Sequence, residues 1–143
     1  MSLFTEQEIE FLRRHRVGRL ATVGGAGQPH VVPTLYRLVD GVFELGAHAL
    51  KGRGQERLYL RHMRVNPRVA FVVDDLTVDP WYPRGITVKG TAIVHDEGGE
   101  HLSPRWGPKW VEIKPDWVSS WGIDTQPMDP AVPRTVGGRT DPA

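Results

Sequence analysis

The sequence predicts a mainly β protein whose sheet is largely antiparallel and closes into a small barrel, with short helices beside it. Two turn signals support this fold class, because the glycine-rich segment 24–27 and the Asp40-Gly41 pair each separate strand-like runs, as in β-hairpins. A third observation is that the apolar runs 68–73 and 85–95 are joined by a short loop and not by a helix. A length of 143 residues suits one such domain.

A short helix is predicted at the start of the chain. Thr5 can cap it, Glu8 completes a capping box three residues later, and Phe4 and Ile9 fit a hydrophobic staple. The cations of the segment 13–16 lie at the C-terminal end of this helix, where the helix dipole favours positive charge. That position is a sufficient structural explanation of the cluster.

Seven short segments have the composition of strands. They are 19–23, 30–39, 42–46, 68–73, 85–95, 110–113 and 117–123. Residues 74–84 are predicted to be a loop, and residues 114–116 a turn between the last two strands. Pro33 lies inside the second strand and indicates an edge, a bulge or a ligand-facing position, because proline cannot donate to the ladder.

The segment 50–68 is the most informative for function. It leaves a predicted strand through glycines, continues as a helix to Val65, and contains one carboxylate, Glu56. Four arginines at spacings of four, four and three fall on one helical face, namely Arg53, Arg57, Arg61 and Arg64. Backbone N–H groups, the positive dipole end and guanidinium groups together favour an anion such as a phosphate. The alternative is a solvated basic face.

Composition limits the class of function. Eighteen basic and seventeen acidic residues leave the chain nearly neutral, which disfavours a general nucleic-acid or membrane-surface binder. The absence of cysteine excludes thiolate nucleophiles, disulfides and cysteine-based metal sites. Neither a nucleophile elbow nor an HExxH pair occurs, so no catalytic side chain and no metal site are predicted. No signal peptide or membrane-spanning run is read, and a cytoplasmic location is expected.

The composition changes after residue 124, where proline and glycine are frequent and aromatic residues are absent. We therefore predict one domain at 1–124 and a weakly structured tail at 125–143, for which docking on a partner chain is one interpretation.

Several segments, in their order and spacing, resemble the pyridoxamine-phosphate-oxidase-like split β-barrel family. They are 17–23 with 27–30, 66–71, 83–92, and the ending 118–122, which is similar to the last strand of the deazaflavin-dependent, mainly actinobacterial branch. The resemblance covers about residues 5–123. It implies a six-stranded antiparallel split β-barrel, a homodimer, and a coenzyme in the groove between protomers. The coenzyme implied is F420, a deazaflavin, with FMN as the alternative.

The resemblance and the basic face together give the candidate coenzyme-binding residues. Those matched to the family are Pro33, Thr34 and Leu35 against the ring, Ala47 and His48 beside the phosphate-bearing side chain, and Lys51 and Arg57 at the phosphate. The basic face adds Arg53 and Arg61, and Arg84 is expected either to reach a coenzyme carboxylate or to pair with Asp79. An aromatic wall over the acceptor is expected from Trp81, Tyr82, Trp106 and Trp110, although Trp110, Trp117 and Trp121 are better explained as core or interface anchors.

The sequence departs from the family pattern at two places. Tyr59 occupies the position at which many relatives carry a second lysine, and the longer segment 51–54 is expected to supply the missing cation. The linker 97–108 is interrupted by prolines and glycines, whereas relatives often have a helix there. Substrate recognition is therefore expected to differ from that of relatives.

The preferred function is a reductase in which reduced deazaflavin gives hydride to an unsaturated small molecule such as an enone, quinone or tetrapyrrole. One alternative is an FMN-binding oxidase or reductase of the same fold. Another is non-catalytic, either a coenzyme carrier or a barrel that binds single-stranded nucleic acid through the segment 51–68. Nucleic-acid binding is disfavoured, because Tyr59 is the one aromatic residue available for stacking in that helix.

Overall fold

The computed structural model describes residues 2–47, 56–104 and 106–136. Within these residues there are two α-helices and eight strands. The helices are α1 (Glu6–Arg14) and α2 (Leu58–Val65). The strands are β1 (Val17–Val23), β2 (Pro29–Leu35), β3 (Arg37–Val39), β4 (Val42–Gly46), β5 (Arg68–Val78), β6 (Trp81–His95), β7 (Trp110–Trp121) and β8 (Arg134–Thr135).

The strands form one antiparallel sheet in the order β2-β1-β5-β6-β7-β4-β3, and β8 adds to β7. The sheet curls around a single core, at whose centre the rings of Phe43 and Phe71 lie 5.0 Å apart. The ring of Tyr36 meets both edge-on, at 5.5 and 5.6 Å. This arrangement confirms the predicted mainly β, antiparallel split barrel.

The first helix confirms the predicted capping box. The Glu8 backbone N–H donates to the Thr5 hydroxyl at 3.1 Å, and the Thr5 N–H donates to a Glu8 carboxylate oxygen at 2.9 Å. Phe11 and Leu12 are buried against the sheet. The cap therefore starts α1 where the sequence placed it, and the apolar face fixes its orientation.

The strand count differs from the expected six, partly because Tyr36 divides the predicted strand 30–39. The Tyr36 N–H donates to the Arg16 carbonyl at 3.0 Å, and its hydroxyl donates to the Leu12 carbonyl at 2.5 Å. The bond to Arg16 continues the β1–β2 pairing by one residue, because Val17 is opposite Leu35, and Tyr36 itself lies between the end of β2 and the start of β3. The two-residue strand β8 adds a further element.

The turn predicted at 114–116 is wrong, because β7 continues through it. Lys89 is paired with Trp117 and Gly90 with Pro115, so the register skips Asp116 as a bulge. The Asp116 carboxylate accepts two hydrogen bonds from Arg68, at 2.6 and 3.1 Å. A bulge accommodates the proline without ending the strand.

The loop predicted at 74–84 is also wrong. Strands β5 and β6 remain paired as far as Val78 and Trp81, and the turn between them holds only Asp79 and Pro80. Asp75 faces Arg84 across this pairing, and their side chains form an ion pair at 2.6 Å. Cross-strand pairs of opposite charge stabilise such a two-stranded ribbon. Its sequence is too polar to be recognised as strand from apolar runs, which is why a loop was predicted.

Strand β2 lies at one end of the strand order, which confirms the edge position indicated by Pro33. At an edge the missing N–H of proline leaves no ladder partner unsatisfied. Two apolar side chains of this strand face outward, Val31 with 64% and Leu35 with 47% of its surface exposed.

The second helix is anchored in the core through Tyr59, Leu60 and Met63, which are buried. Its first residue, Leu58, follows Arg57 at the N-cap position. Among the helices in the described ranges, none combines the length and apolar character needed to cross a membrane.

The described part of the predicted tail includes β8, which pairs with β7 at Trp117 and Val118. The Arg134 guanidinium contacts the carboxylate of Glu8 and the carbonyl of Leu3. The division of the chain at residue 124 stays a prediction.

Candidate functional site

A cavity of about 540 Å³ lies between β2 and the start of α2, and we call it the β2–α2 groove. It is lined by His30, Val32, Pro33, Thr34, Leu35, Gly46, Arg57, Leu58, Tyr59 and Trp106. Four of the candidate coenzyme-binding residues therefore meet there, Pro33, Thr34 and Leu35 from the edge strand and Arg57 from the helix start, together with Trp106 of the expected aromatic wall. Its volume lies within the range of about 300–1,000 Å³ that small-molecule sites occupy.

On the strand side of the groove, the side-chain oxygen of Thr34 is buried and has no hydrogen-bond partner among the described residues. A buried hydroxyl without a partner costs roughly 1–3 kcal/mol, so native proteins rarely leave one unsatisfied. The neighbouring Leu35 is half exposed at the same wall. The wall thus offers an apolar surface with one unsatisfied polar atom, which suits the edge of a heterocyclic ring.

On the helix side, Arg57 is the N-cap residue of α2, and no side chain caps the helix by a hydrogen bond. The first turn of α2 contains no acidic residue. Because Arg57, Leu58 and Tyr59 all line the groove, the positive end of the helix dipole and a guanidinium group lie at the same wall. This is a favourable environment for an anionic group.

The end wall of the groove depends on a glycine. Gly46 closes β4, and a Cβ atom built on it would lie 1.8 Å from Cε3 of Trp106. The indole ring therefore occupies the space that any other residue at position 46 would fill. Trp106 comes from the segment between β6 and β7, in which the sequence predicted a loop aromatic residue at the acceptor site.

An ion-pair network lies beside the helix start. The Glu56 carboxylate accepts from Arg64 and from Lys109, each at 2.6 Å, and Arg64 also contacts Asp96 at 2.6 Å. Hydrogen bonds from Arg64 and Lys109 lower the pKa of Glu56 from its ordinary 4.5 to about 2. Arg64 belongs to the basic face read from the sequence, but two carboxylates neutralise it here.

Other candidate residues lie outside the groove lining. Ala47 follows Gly46, is buried, and donates its N–H to the Lys109 carbonyl at 3.3 Å. Arg61 is exposed on α2. Three of the predicted residues fall outside the described residues, namely His48, Lys51 and Arg53.

The two candidates of the β5–β6 hairpin are also remote from the lining. Trp81 stands at its tip with 58% of its surface exposed. Arg84 does not pair with Asp79 as one reading expected; it binds Asp75 at 2.6 and 3.1 Å and lies over the Phe11 ring, 5.1 Å from its centroid. Asp75 is the residue opposite Arg84 in the ladder, which explains the choice of partner.

Sequence reasoning missed several lining residues, including His30 and Val32. Both alternate with Thr34 on β2, so the two-residue period of a strand could have assigned them to the same face. The His30 ring meets the His62 ring edge-on at 5.6 Å, and His62 Nδ1 lies 2.9 Å from the Thr22 hydroxyl. The approach of Gly46 to Trp106 has no local sequence signal.

Comparison with known proteins agrees with this architecture. Residues 4–130 match the family described as pyridoxamine 5'-phosphate oxidase. The chain is 39% identical over 124 residues to the 5a,11a-dehydrotetracycline/5a,11a-dehydrooxytetracycline reductase of Streptomyces rimosus, covering 85% of this chain and 84% of that protein.

Two solved structures share the fold. A conserved hypothetical protein from Mycobacterium tuberculosis has a TM-score of 0.64 at 24% identity, over 85% of this chain and 86% of that one. An FAD-binding protein from Mesorhizobium loti has a TM-score of 0.61 at 25% identity, over 82% and 94% of the two chains. With a split barrel, a groove at its edge strand and a family match over most of its length, the chain belongs to the pyridoxamine 5'-phosphate oxidase family.

Proposed function

We propose that the protein is a reductase that uses coenzyme F420 to reduce an unsaturated small molecule. Its similarity to a dehydrotetracycline reductase supports an oxidoreductase of this fold. The observation that carries the proposal is the meeting of two features in one groove. These are the segment 33–35 of β2 and Arg57 at the uncapped start of α2.

The groove residues fit a deazaflavin in their chemistry. Pro33 and Leu35 supply apolar surface for the ring, and the unpartnered Thr34 hydroxyl suits a polar atom on the ring's edge. Arg57 and the N-terminal turn of α2 suit the phosphate. The further phosphate contacts proposed are His48, Lys51, Arg53 and Arg61, with Ala47 at the strand end.

When bound, the reduced coenzyme supplies the hydride, which is chemistry that no side chain of this protein can perform. The chain contributes binding and alignment. The β2 wall and Trp106 confine a planar molecule between them, and this raises its effective concentration beside the coenzyme ring and limits water. An acceptor with an activated carbon–carbon double bond, like the substrate named for the Streptomyces relative, fits this role.

The same proposal includes a homodimer. The edge strand β2 exposes Val31 and Leu35, and Val17 on the adjacent β1 is also exposed. A surface of this kind on a sheet edge favours pairing with a second copy. Since Trp81 and Arg84 do not line the groove of their own chain, any contact they make with the coenzyme or acceptor would be to the partner protomer's groove.

A flavin is the second candidate coenzyme, because the FAD-binding protein from Mesorhizobium loti shares the fold at 25% identity. FMN also carries a phosphate, a terminal monoester where that of F420 is a diester, on a ring of similar shape, so the groove residues alone favour neither coenzyme strongly. The affinities measured for F420 and for FMN distinguish the two candidates.

The test is a fluorescence titration of the purified protein with coenzyme F420 and, separately, with FMN. We expect tighter binding of F420 and a loss of about ten- to a hundredfold in Arg57→Gln, since one charge-assisted contact contributes roughly 1.5–3 kcal/mol. Arg19→Gln is the matched control, because this exposed side chain pairs with Asp74 at 2.9 Å and does not line the groove.

Preference for FMN would move the protein to the flavin-dependent alternative. Binding of neither coenzyme would contradict both the proposed site and the coenzyme-carrier alternative, and would leave the nucleic-acid alternative to be tested. Equal affinity in Arg57→Gln and the unaltered protein would contradict the role of Arg57 at the phosphate.

A further inference from the structure

A second cavity, of about 500 Å³, lies next to the β2–α2 groove, between the end of α1 and the junction of β2 with β3. It shares two of its lining residues, Leu35 and Trp106, with the groove. The two spaces are therefore adjacent, and this pair of apolar side chains belongs to the walls of both. A molecule longer than one ring system can extend from one space to the other across that pair.

Apart from Tyr36, the ionisable side chains described in the lining of this second cavity are all basic. Arg13, His15, Arg16 and Arg37 line it, and among the described residues no acidic side chain does. Two of the four already have a carboxylate partner, because His15 Nε2 lies 2.9 Å from the Asp75 carboxylate and Arg37 lies 2.7 Å from that of Glu44.

Arg13 and Arg16 form no ion pair with any carboxylate of the described residues. Arg13 also borders a smaller recess, of about 350 Å³, that contains Asp40, but the two side chains are not paired. Two guanidinium groups thus keep their hydrogen-bonding capacity at the mouth of the cavity.

The helix dipole accounts for Arg13 and Arg14, which lie in the last turn of α1, but not for Arg16, which lies beyond the C-cap residue His15. Arg16 lies beyond the last residue of α1, Arg14, and its carbonyl already accepts the Tyr36 N–H. Arg14, which is inside the helix, is the cation of this cluster with an obvious structural partner, Glu10 at 2.5 Å. The remaining walls are apolar or aromatic, including Leu12, Tyr36 and Leu38. A cavity with an apolar body and two available guanidinium groups suits a planar organic anion.

We propose that this basic cavity binds the ionised enol, phenol or carboxylate group of a planar, largely apolar acceptor. The reducible part of that molecule then lies beyond Leu35 and Trp106, in the β2–α2 groove. The assignment of the ligand as the acceptor rests on the proposed reductase function, whereas the existence of an anion site at Arg13 and Arg16 does not.

The anion site is tested without coenzyme by titration with 8-anilinonaphthalene-1-sulfonate, a planar aromatic anion whose fluorescence rises on binding. Its uncharged analogue N-phenyl-1-naphthylamine serves as the second probe. We expect Arg13→Gln/Arg16→Gln to weaken binding of the sulfonate by at least about tenfold and to leave binding of the neutral probe within about twofold. Arg16→Gln alone is expected to give a smaller loss in the same direction.

Arg14→Gln is the matched control, since it removes one positive charge from the same segment but not from the cavity lining. It should bind both probes as the unaltered protein does. The variants change exposed side chains, so their unfolding temperatures are expected to remain close to that of the unaltered protein.

Equal sulfonate affinity in the double variant and the unaltered protein would overturn the proposal. An equal loss in Arg14→Gln would also overturn it, because the effect would then come from general surface charge. If this test fails while F420 binds normally, only the proposed anion site is contradicted. If the test succeeds but no coenzyme binds, the anion site stands and the proposed reductase function is contradicted.

Discussion

The Trp106 ring occupies the space beside Gly46 that a side chain at position 46 would fill, in the wall of the β2–α2 groove. A Cβ atom at position 46 would lie 1.8 Å from Cε3 and 2.3 Å from Cδ2 of the indole ring. Sixty positions in the chain separate the two residues. The shape of the groove therefore depends on the absence of a side chain on β4, because Trp106 takes its place.

We predict that Gly46→Ala displaces the Trp106 ring and reduces coenzyme affinity more than it reduces stability. The ring lies outside the strands and can move, whereas the backbone at the end of β4 is held by its pairing with Trp110. Tryptophan fluorescence should shift to longer wavelength as the half-buried indole enters water. The same substitution combined with Trp106→Phe should show no such shift, and an unchanged spectrum in Gly46→Ala itself would contradict the packing.

Thr34→Val separates a structural role of the hydroxyl from a role in binding. Because the Thr34 side-chain oxygen is buried without a partner, its removal should leave the free energy of unfolding unchanged or raise it by up to about 1 kcal/mol. Coenzyme affinity should fall, since the ligand would lose the polar contact proposed for it. Urea denaturation and the fluorescence titration measure the two effects, and Thr34→Ser should keep the affinity. A clear loss of stability in Thr34→Val would assign the hydroxyl to the fold.

Because the pKa of Glu56 is lowered in the folded protein, we predict that the free energy of unfolding depends on pH through this carboxylate. Its pKa in the folded protein, about 2, is below the ordinary 4.5, so it stabilises the fold above that ordinary value and the contribution is lost as the pH falls toward 2. The difference in free energy of unfolding between the unaltered protein and Glu56→Gln should therefore shrink as the pH is lowered from about 5. The pKa of Asp75 is also lowered, chiefly by a hydrogen bond from Arg84. Because Asp75 is present in both proteins, its contribution is the same in each and drops out of the difference. A difference that does not depend on pH would show that Glu56 is not paired with Arg64 and Lys109 in solution.

Gly18→Ala should destabilise the core. The added Cβ would lie 2.1 Å from Cζ of Phe71, a fully buried ring packed between Tyr36 and Phe43, so the ring has little room to move. Overpacking of this kind costs roughly 1–3 kcal/mol. Gly25→Ala is the control, because its Cβ would meet only Val65 at an ordinary 3.9 Å. Chemical denaturation of both variants checks the contrast, and equal stabilities would be inconsistent with it.

Arg134→Gln should lower the free energy of unfolding by roughly 1–3 kcal/mol, because it removes the cation beside the fully buried carboxylate of Glu8. The Ser120 hydroxyl also donates to this carboxylate, at 2.5 Å, so Glu8 keeps one side-chain partner in the variant. A double-mutant cycle with Glu8→Gln should give a coupling energy above about 0.5 kcal/mol. Strictly additive losses would mean that the segment around β8 does not hold Arg134 against α1.

Local signals were sufficient for the parts of this protein that were predicted correctly. The capping box of α1 depends on Thr5 and Glu8, three residues apart, and the hairpin at Asp40-Gly41 depends on turn chemistry. Pro33 indicated an edge, a bulge or a ligand-facing position for β2, and the strand lies at an edge. Spacing placed Arg57 on a basic helical face and the family resemblance assigned it to the site, and it lines the groove. In each case the determining interactions lie within a few residues along the chain.

Long-range contacts decided the rest. Tyr36 lies between β2 and β3 with its N–H and hydroxyl bound to the carbonyls of Arg16 and Leu12, and β7 continues past Pro115 through a bulge at Asp116, whose carboxylate accepts from Arg68. The sequence determined the fold class and the position of the cationic helix start. Only the tertiary structure determined which side chains meet at the groove and at the basic cavity, since such meetings depend on how the sheet curls and not on the residues next in the chain.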